Sequence, residues 1–246
     1  MFISDVLLDI EDKGYFLGSW FDIEELKNID VRTESGLLSF KEILDSNSID
    51  CYPKIVNGSV ANVEHSIFDI DIVLYKTIAN VNKNSKDIKY GLLVAKFSAA
   101  IAKVDGLVDF SEIAVIRQNI YSLSMLSETE KYYIFIRAIY YLQLKTTKDV
   151  LLGHLEKLSD NSKRQVLSIA MSIVIADMSI VKSERLLVAD MYRLCDMPTN
   201  SVSRDLKKLA KSSGVQLQAR KADRCQEFNF EPDDTLNEFI EELENF

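Results

Sequence analysis

Residues 97–112 read FSAAIAKVDGLVDFSE and residues 169–184 read IAMSIVIADMSIVKSE, so one pattern recurs at two places in the chain. In both copies an apolar stretch ends at an aspartate, Asp105 or Asp177, and a short loop then leads to a Ser-Glu pair. Apolar and small residues at intervals of three and four are typical of a helix, and Ser-Glu is typical of a helix start. The repeat therefore predicts two pairs of helices, each joined by a short loop.

The sequence around the two copies is poor in residues that break helices. No proline occurs between Pro53 and Pro198, and glycine is scarce in the same stretch. Ser127-Glu-Thr-Glu130 predicts a capping box that opens a helix over 128–145, whose apolar residues lie on most sides, as in a buried central helix. Further helices are predicted over 148–158, 161–176, 183–195 and 200–212. We therefore expect an all-α core over residues 89–213.

The first 88 residues differ from this core in composition. Residues 1–70 hold 14 acids against 5 bases, with aromatic clusters at Tyr15-Phe16 and Trp20-Phe21. Short helices are predicted over 22–28 and 38–45, and the stretch 46–63 is predicted to be irregular or extended. Residues 1–88 are therefore expected to form a small acidic subdomain, irregular or α+β in character.

The C-terminal segment, 214–246, completes a change from basic to acidic sequence. Residues 199–224 contain seven bases and two acids, whereas residues 225–246 contain eight acids and no base. A helix with one apolar stripe is predicted after Pro232. The stripe consists of Leu236, Phe239, Ile240, Leu243 and Phe246. An acidic amphipathic helix of this kind needs an apolar surface to pack against.

Composition limits the class of protein. The 246 residues are 47% apolar and 27% charged with a net charge of −9, which is typical of a soluble globular chain. Three widely spaced cysteines without a CxxC pair predict neither a disulfide scaffold nor a thiolate metal site, and the expected location is the cytoplasm. The N-terminal residues lack the basic start of a signal peptide, and no apolar run is long enough for a membrane span.

The sequence offers no motif for catalysis. It contains no GxxxxGK[ST], GxGxxG, HExxH or GxSxG pattern. The two histidines, His65 and His154, have no Cys or Asp at the spacing of a ligand set or a catalytic triad. We therefore predict that the protein is not an enzyme and assign no catalytic residue.

The two copies resemble the tellurite-resistance TerB-like domain, whose repeated signature is a small-residue helix, Asp-Gly-x-Val, and then Ser and Glu at a helix start. Residues 191–206, which read MYRLCDMPTNSVSRDL, are similar to the closing helix and loop of that family. The resemblance covers about residues 89–212. It implies a helical bundle with an internal pseudo-repeat, divalent-metal binding, and a place in bacterial stress-response or phage-defence systems.

The resemblance also implies a set of metal-binding acids, namely Asp105, Glu112, Asp177 and Glu184. Clustered carboxylates favour a hard divalent cation. The second copy departs from the family pattern, because Met178 stands in the place of glycine and disfavours the same left-handed turn. Val181 likewise stands in the place of Asp109.

The residues themselves favour a structural role for these acids over metal coordination. Asp109 to Glu112 fits a capping box, and Glu184 lies in the first turn of a helix, where the macrodipole favours an acid. A divalent cation at these loops remains the alternative.

The helix predicted over 200–212 carries exposed bases, namely Arg204, Lys207, Lys208 and Lys211. A capped basic helix is typical of a DNA-recognition helix. The local surplus is small, however, in a chain of net charge −9. The acidic segment that follows is also able to fold over this basic patch and neutralise it. A solvated helix face or a contact with protein is therefore favoured over a contact with DNA.

The lack of a catalytic motif and the amphipathic C-terminal stripe predict a non-enzymatic accessory subunit, and the resemblance implies a place in a bacterial stress-response or phage-defence complex. The subunit would dock through its helical surfaces, with the C-terminal apolar stripe in a groove of a partner or of a second copy. Family context implies an ATPase or nuclease subunit as the partner. Two alternatives stay open, which are a divalent-metal-responsive sensor built on the paired Asp/Glu loops and a DNA-contacting module built on the 200–212 helix.

Overall fold

The computed structural model describes residues 2–20, 29–61, 71–104, 106, 108–144, 148–176, 178 and 180–217. The chain divides into two compact units, Met1–Val81 and Asn82–Phe246. The division falls a few residues before residue 88, where composition placed the end of the acidic subdomain.

The first unit combines helices with short antiparallel strands. Its elements are α1 (Phe2–Lys13), β1 (Phe16–Gly18), α2 (Glu34–Ser46), β2 (Ile49–Tyr52), β3 (Ile55–Val56), β4 (Ser59–Val60) and β5 (Ile72–Lys76). The extended character predicted for 46–63 is confirmed by β2, β3 and β4. The helix predicted over 38–45 begins earlier, at Glu34, because Thr33 Oγ1 accepts a hydrogen bond from Gly36 N at 3.1 Å and caps it there. The helix predicted over 22–28 lies outside the described residues.

Strand β5 is the centre of a three-stranded sheet of order β1-β5-β2. Leu74 lies opposite Phe16 of β1 on one side and opposite Cys51 of β2 on the other. The first four residues of β5 are all buried, as expected for a strand covered on both faces. The core of this unit also holds Trp20 and Phe40, both fully buried, whose rings meet edge to face with centroids 6.3 Å apart. Burying rings of this size stabilises a fold by about 1.5–3 kcal/mol each.

Lys54 joins β2 to β5 through a compact polar and aromatic cluster. Its ammonium donates a hydrogen bond to Tyr75 Oη at 2.7 Å and pairs with the Asp50 carboxylate. The rings of Tyr52 and Tyr75 stack with centroids 5.3 Å apart, and the ammonium lies 4.8 Å from the Tyr52 centroid. Burial raises the pKa of Tyr75 far above its ordinary value, so the phenol stays protonated. The polar groups of this cluster are hydrogen-bond partners for one another, and their contacts link β2 to β5.

The second unit is helical throughout its described part. Its elements are α3 (Lys86–Ala102), α4 (Phe110–Tyr121), α5 (Glu128–Tyr141), α6 (Lys148–Glu156), α7 (Asp160–Val174), α8 (Lys182–Leu194), a 3₁₀ turn (Thr199–Ser201) and α9 (Val202–Ser212). The helices predicted over 148–158, 161–176, 183–195 and 200–212 are confirmed, with ends that differ by no more than two residues. The fold class of the protein is therefore mainly α.

Helix α5 begins where its capping box was predicted. Glu130 N donates to Ser127 Oγ at 3.4 Å, and Ser127 N donates back to Glu130 Oε2 at 2.9 Å. The hydrogen bonds that the Ser127 backbone N–H and hydroxyl donate to the Glu130 carboxylate lower the pKa of Glu130, because they stabilise its charged form. Eight residues of α5 are buried, so the predicted buried helix is confirmed, although it ends at Tyr141 rather than at residue 145.

Helix α3 packs closely against α5 and also contacts α7. Gly91 permits the approach to α5, because a Cβ atom at this position would lie only 2.3 Å from Ile134 Cδ1. Within the described ranges, no helix has both the length and the apolar character that a membrane crossing requires.

Candidate functional site

Gly106 in the loop after α3 and Met178 in the loop after α7 share one backbone conformation despite their different side chains. Gly106 has φ +86° and Met178 has φ +63°, so both adopt the left-handed conformation. Gly106 N donates to Lys103 O at 2.9 Å, and Met178 N donates to Ile175 O at 3.3 Å. The expectation that the second loop would not take the same left-handed turn is therefore wrong. Met178 adopts this conformation although its Cβ atom disfavours it, and the flanking helices α7 and α8 pack against each other.

Each loop leads into a helix whose third residue is a buried glutamate. Glu112 Oε2 accepts a hydrogen bond from Asp109 N at 2.8 Å, and Glu184 Oε2 accepts one from Val181 N at 2.8 Å. Both glutamates are 5% exposed. At α4 the box is complete, because Asp109 Oδ1 also accepts from Ser111 N at 2.9 Å. At α8 only half of it forms, because the side chain of Val181 has no acceptor atom.

Only two of the four acids proposed as metal ligands lie in described positions. Asp105 and Asp177 lie outside the described residues. Glu112 and Glu184 each use one carboxylate oxygen to cap a helix, which is the structural role that their position predicted. Within the described part of the chain, no group of three His, Cys, Asp or Glu side chains has the arrangement of a metal site.

Both loops also present apolar side chains to solvent. Phe110 is 82% exposed at the start of α4, and Val108 precedes it at 37%. In the second loop Met178 is 44% exposed, and Leu186 in the following helix is 48% exposed. Single exposed apolar side chains are normal on a protein surface, so these four positions do not by themselves define a contact surface.

Helix α9 has one buried face and one basic face. Val202, Leu206 and Ala210 are buried at intervals of four residues. The exposed face carries the four predicted bases, which are Arg204, Lys207, Lys208 and Lys211. Arg204 Nε pairs with Asp205 Oδ1 at 3.1 Å, whereas none of the three lysines pairs with an acid in the described part of the chain.

A hydrogen-bond network anchors the start of α9 on α8. Ser201 Oγ donates to Asp205 Oδ2 at 2.7 Å, and Tyr192 Oη of α8 donates to the same oxygen at 3.3 Å. The bonds from Ser201 and Arg204 lower the pKa of Asp205, so its carboxylate stays charged. Burial, together with the nearby Asp205 charge, raises the pKa of Tyr192 to about 12, so its hydroxyl remains a donor. The basic face is therefore held in a fixed orientation.

The chain turns back on itself directly after α9. Val215 N donates to Ala210 O at 2.8 Å, Gly214 N donates to Lys211 O at 3.3 Å, and Gly214 has φ +72°. This pair of bonds defines a Schellman motif, in which glycine adopts the left-handed conformation and the next residue contacts the helix.

The turn forms an open groove of about 460 Å³ beside the end of α9. Ala210, Val215 and Leu217 supply its apolar lining, and Lys207 and Lys211 lie along it. We call this feature the α9 groove. Sequence analysis found the lysines but missed the groove, although Gly214 followed by Val215 after a helix is the signal for such a turn.

The predicted C-terminal stripe, Leu236, Phe239, Ile240, Leu243 and Phe246, lies outside the described residues. Comparisons of the chain with protein-family models, with curated proteins and with solved structures find no match. The α9 groove and the paired loops are therefore interpreted from their own chemistry.

Proposed function

We propose that this protein is a non-enzymatic interaction subunit that docks an acidic, amphipathic segment of a partner protein in the α9 groove. The resemblance of residues 89–212 to TerB-like domains supports a place in a bacterial stress-response or phage-defence complex. It also makes an ATPase or nuclease subunit of such a complex the expected partner.

One observation carries this proposal, which is that two exposed lysines, Lys207 and Lys211, line an apolar groove. Lys207 and Lys211 are one helical turn apart along the groove, and Lys208 lies on the adjacent surface. A helix with an apolar stripe and acids beside it would bury the stripe against Ala210, Val215 and Leu217. Its acids would then meet the ammonium groups, which is the helix-in-groove mode of recognition.

Charge gives this surface its selectivity. The chain as a whole has a net charge of −9, so a group of lysines on one helix is a local exception. Such a patch attracts an acidic segment and accelerates its association, while the rest of the surface repels acidic partners. Because the Asp205 network already fixes α9 on α8, binding requires little ordering of the helix.

The test compares charge reversal in the groove with charge reversal elsewhere. Tagged wild-type chain, the variant Lys207→Glu/Lys211→Glu, and the control Lys182→Glu are purified from the native host, and the proteins that accompany each are identified and quantified. Lys182 is an exposed lysine at the start of α8 and makes a matched control. We expect the control to retain a stoichiometric partner and the groove variant to lose at least about 90% of it, since several charge contacts reverse sign.

Two outcomes would overturn the proposal. If the groove variant recovers the same amount of partner as the wild type, docking takes place on another surface. The variant Phe110→Ser would then test the exposed loop residues. Salt-dependent retardation of duplex DNA by the wild type, lost in the groove variant, would instead make the helix a nucleic-acid contact.

A further inference from the structure

We propose that residues 233–246 of this same chain occupy the α9 groove in the free protein. They lie antiparallel to α9, so that a partner has to displace them. The inference rests on the groove that the proposed function uses, but it concerns what fills the groove before any partner arrives.

The first argument is where the chain leads. The Schellman turn after α9 brings Val215 and Leu217 into the lining of the groove, so the chain leaves the described region at the groove itself. Residues 218–232 connect this point to the predicted helix. A connection of that length spans up to about 50 Å when extended, and therefore places no limit on a segment that turns back along α9.

The second argument is charge. Residues 225–246 hold eight acids and no base, and they follow directly on the basic segment that ends at Arg224. At the effective concentration of a short tether, which is on the order of millimolar, even a weak acidic ligand would fill a complementary site on the same chain.

The third argument is the spacing of the charges. Lys207 and Lys211 stand four residues apart along the groove, and Glu238 and Glu242 stand four residues apart along one edge of the apolar stripe, so the two pairs match in spacing. The turn that follows α9 favours an antiparallel direction, which places Lys207 near Glu242 and Lys211 near Glu238. Lys208 and Glu241 lie away from the contacting faces and take no part in this register.

The fourth argument is the apolar stripe. Leu236, Phe239 and Leu243 recur at intervals of three and four and form one stripe of the predicted helix, with Glu238 and Glu242 along one edge of it. An isolated helix of about 14 residues is marginal in water, because nucleation is costly and few hydrogen bonds follow. The apolar floor formed by Ala210, Val215 and Leu217 supplies the packing that such a helix needs.

The test uses hydrogen exchange of the full chain, read by mass spectrometry on peptides from residues 233–246. We expect slow exchange in the wild type and exchange roughly ten-fold faster in Lys211→Glu, because the open state gains population when the contact is reversed. The second change Glu238→Lys, added to Lys211→Glu, should restore slow exchange. Glu244→Lys lies outside the proposed register, and as the matched control it should not restore slow exchange.

A carbodiimide that joins amines to carboxylates without a spacer gives an independent measurement on the same chain. We expect links from Lys211 to Glu238 and from Lys207 to Glu242. In an equal mixture of light and heavy isotope-labelled chains, these links should join residues of the same label.

Several results would overturn the inference. If the amides of residues 233–246 exchange rapidly in the wild type, the groove is empty. If these amides are equally protected in all variants, the tail packs on another surface. Links between light and heavy chains would make the occupant a second copy. Each of these readouts concerns the free protein, so the partner experiment with Lys207→Glu/Lys211→Glu still decides the proposed function separately. If the tail does fill the groove, tail deletion should raise partner recovery, whereas the groove variant should lower it.

Discussion

At their described positions, the loop between α3 and α4 and the loop between α7 and α8 have the same turn and the same glutamate cap but different residues. The first places glycine at the left-handed position and an aspartate at the helix cap. The second places Met178 and Val181 there, yet it keeps the turn and the glutamate-to-amide bond at the same 2.8 Å. Local sequence preference is therefore sufficient in the first loop and overruled in the second.

Because of this difference, the stability of the second loop depends more on the hydrogen bond to Glu184. A left-handed residue with a Cβ atom costs about 1–2 kcal/mol, and the missing acceptor at Val181 removes one of the two capping bonds. The bond from Val181 N to Glu184 is buried, whereas the equivalent bond at Asp109 is only partly buried. Glu184 is thus the residue on which the second loop most depends.

The largest expected effect is the loss of this glutamate. Glu184→Ala leaves the buried Val181 N–H without a partner, so we expect a loss of about 1–3 kcal/mol in the free energy of unfolding. Glu112→Ala should cost about 1 kcal/mol or less, because water reaches Asp109 N. Urea titration of both variants measures the two values. Glu184→Gln keeps an acceptor and serves as the control, and equal losses at the two glutamates would contradict the comparison.

A smaller effect is expected from the turn residue itself. Met178→Gly relieves the left-handed strain and should raise the free energy of unfolding by about 0.5–1 kcal/mol, after the entropy cost of glycine. Gly106→Ala introduces the same strain and should lower it by about 1 kcal/mol. Thermal and urea unfolding of both variants provides the measurement.

Two substitutions elsewhere act as controls for these turn variants. Met125→Gly removes another exposed methionine, which is 49% exposed, and should give no gain. Gly153→Ala, in the interior of α6 with no atom within 4 Å of the added Cβ, should stabilise by about 0.5–1 kcal/mol. A gain at position 125 as large as that at position 178 would argue against strain in the second loop.

The smallest expected effect is a pH-dependent change in the free energy of unfolding. It concerns Asp190 in α8, which is part of the second helix pair, α7 and α8. Asp190 of α8 accepts from Arg193 Nη1 at 2.7 Å and pairs with Lys148 of α6, whereas the matching position in α4 is Gln118. Burial favours the protonated form, but the hydrogen bonds from Lys148 and Arg193 outweigh it and lower the pKa of Asp190. A lowered folded-state pKa adds stability that is present above about pH 4 and is lost as the pH falls through the folded value.

We therefore expect Asp190→Asn to cost about 1 kcal/mol at pH 7 and less at about pH 3, since protonation of the carboxyl removes its charge and the pair is partly exposed. Urea titration at the two pH values gives the comparison. Asp160→Asn changes an acid whose side chain is 90% exposed and should show no such dependence. A cost for Asp190→Asn that is the same at both pH values would mean that packing, not charge, is responsible.

The sequence predicted those features whose causes are local. The capping boxes at Ser127 and Asp109 depend on residues three apart, so they are readable without the rest of the fold. Met178 adopts a conformation that local preference disfavours, so a rule built on neighbouring residues alone does not predict it.

Two elements of the first unit, α1 and β5, are not among those predicted from the sequence. Helix α1 buries Val6 and Ile10 at an interval of four, and it ends at Gly14, whose N–H bonds to Ile10 O at 3.0 Å. Strand β5 is a short apolar run, which periodicity alone does not distinguish from a piece of buried helix. The α9 groove required the turn at Gly214 to be combined with the helix before it, and only the structure joins them.

The burial of Trp20 has a consequence for how this protein is followed in solution. It is the only tryptophan of the chain, and it lies fully buried beside Phe40 in the first unit. Its fluorescence emission therefore reports the loosening of that unit alone, whereas circular dichroism at 222 nm draws on helices of both units. The two optical signals therefore probe different parts of the chain. If the melting curves from fluorescence and circular dichroism do not coincide, the two units unfold in separate steps.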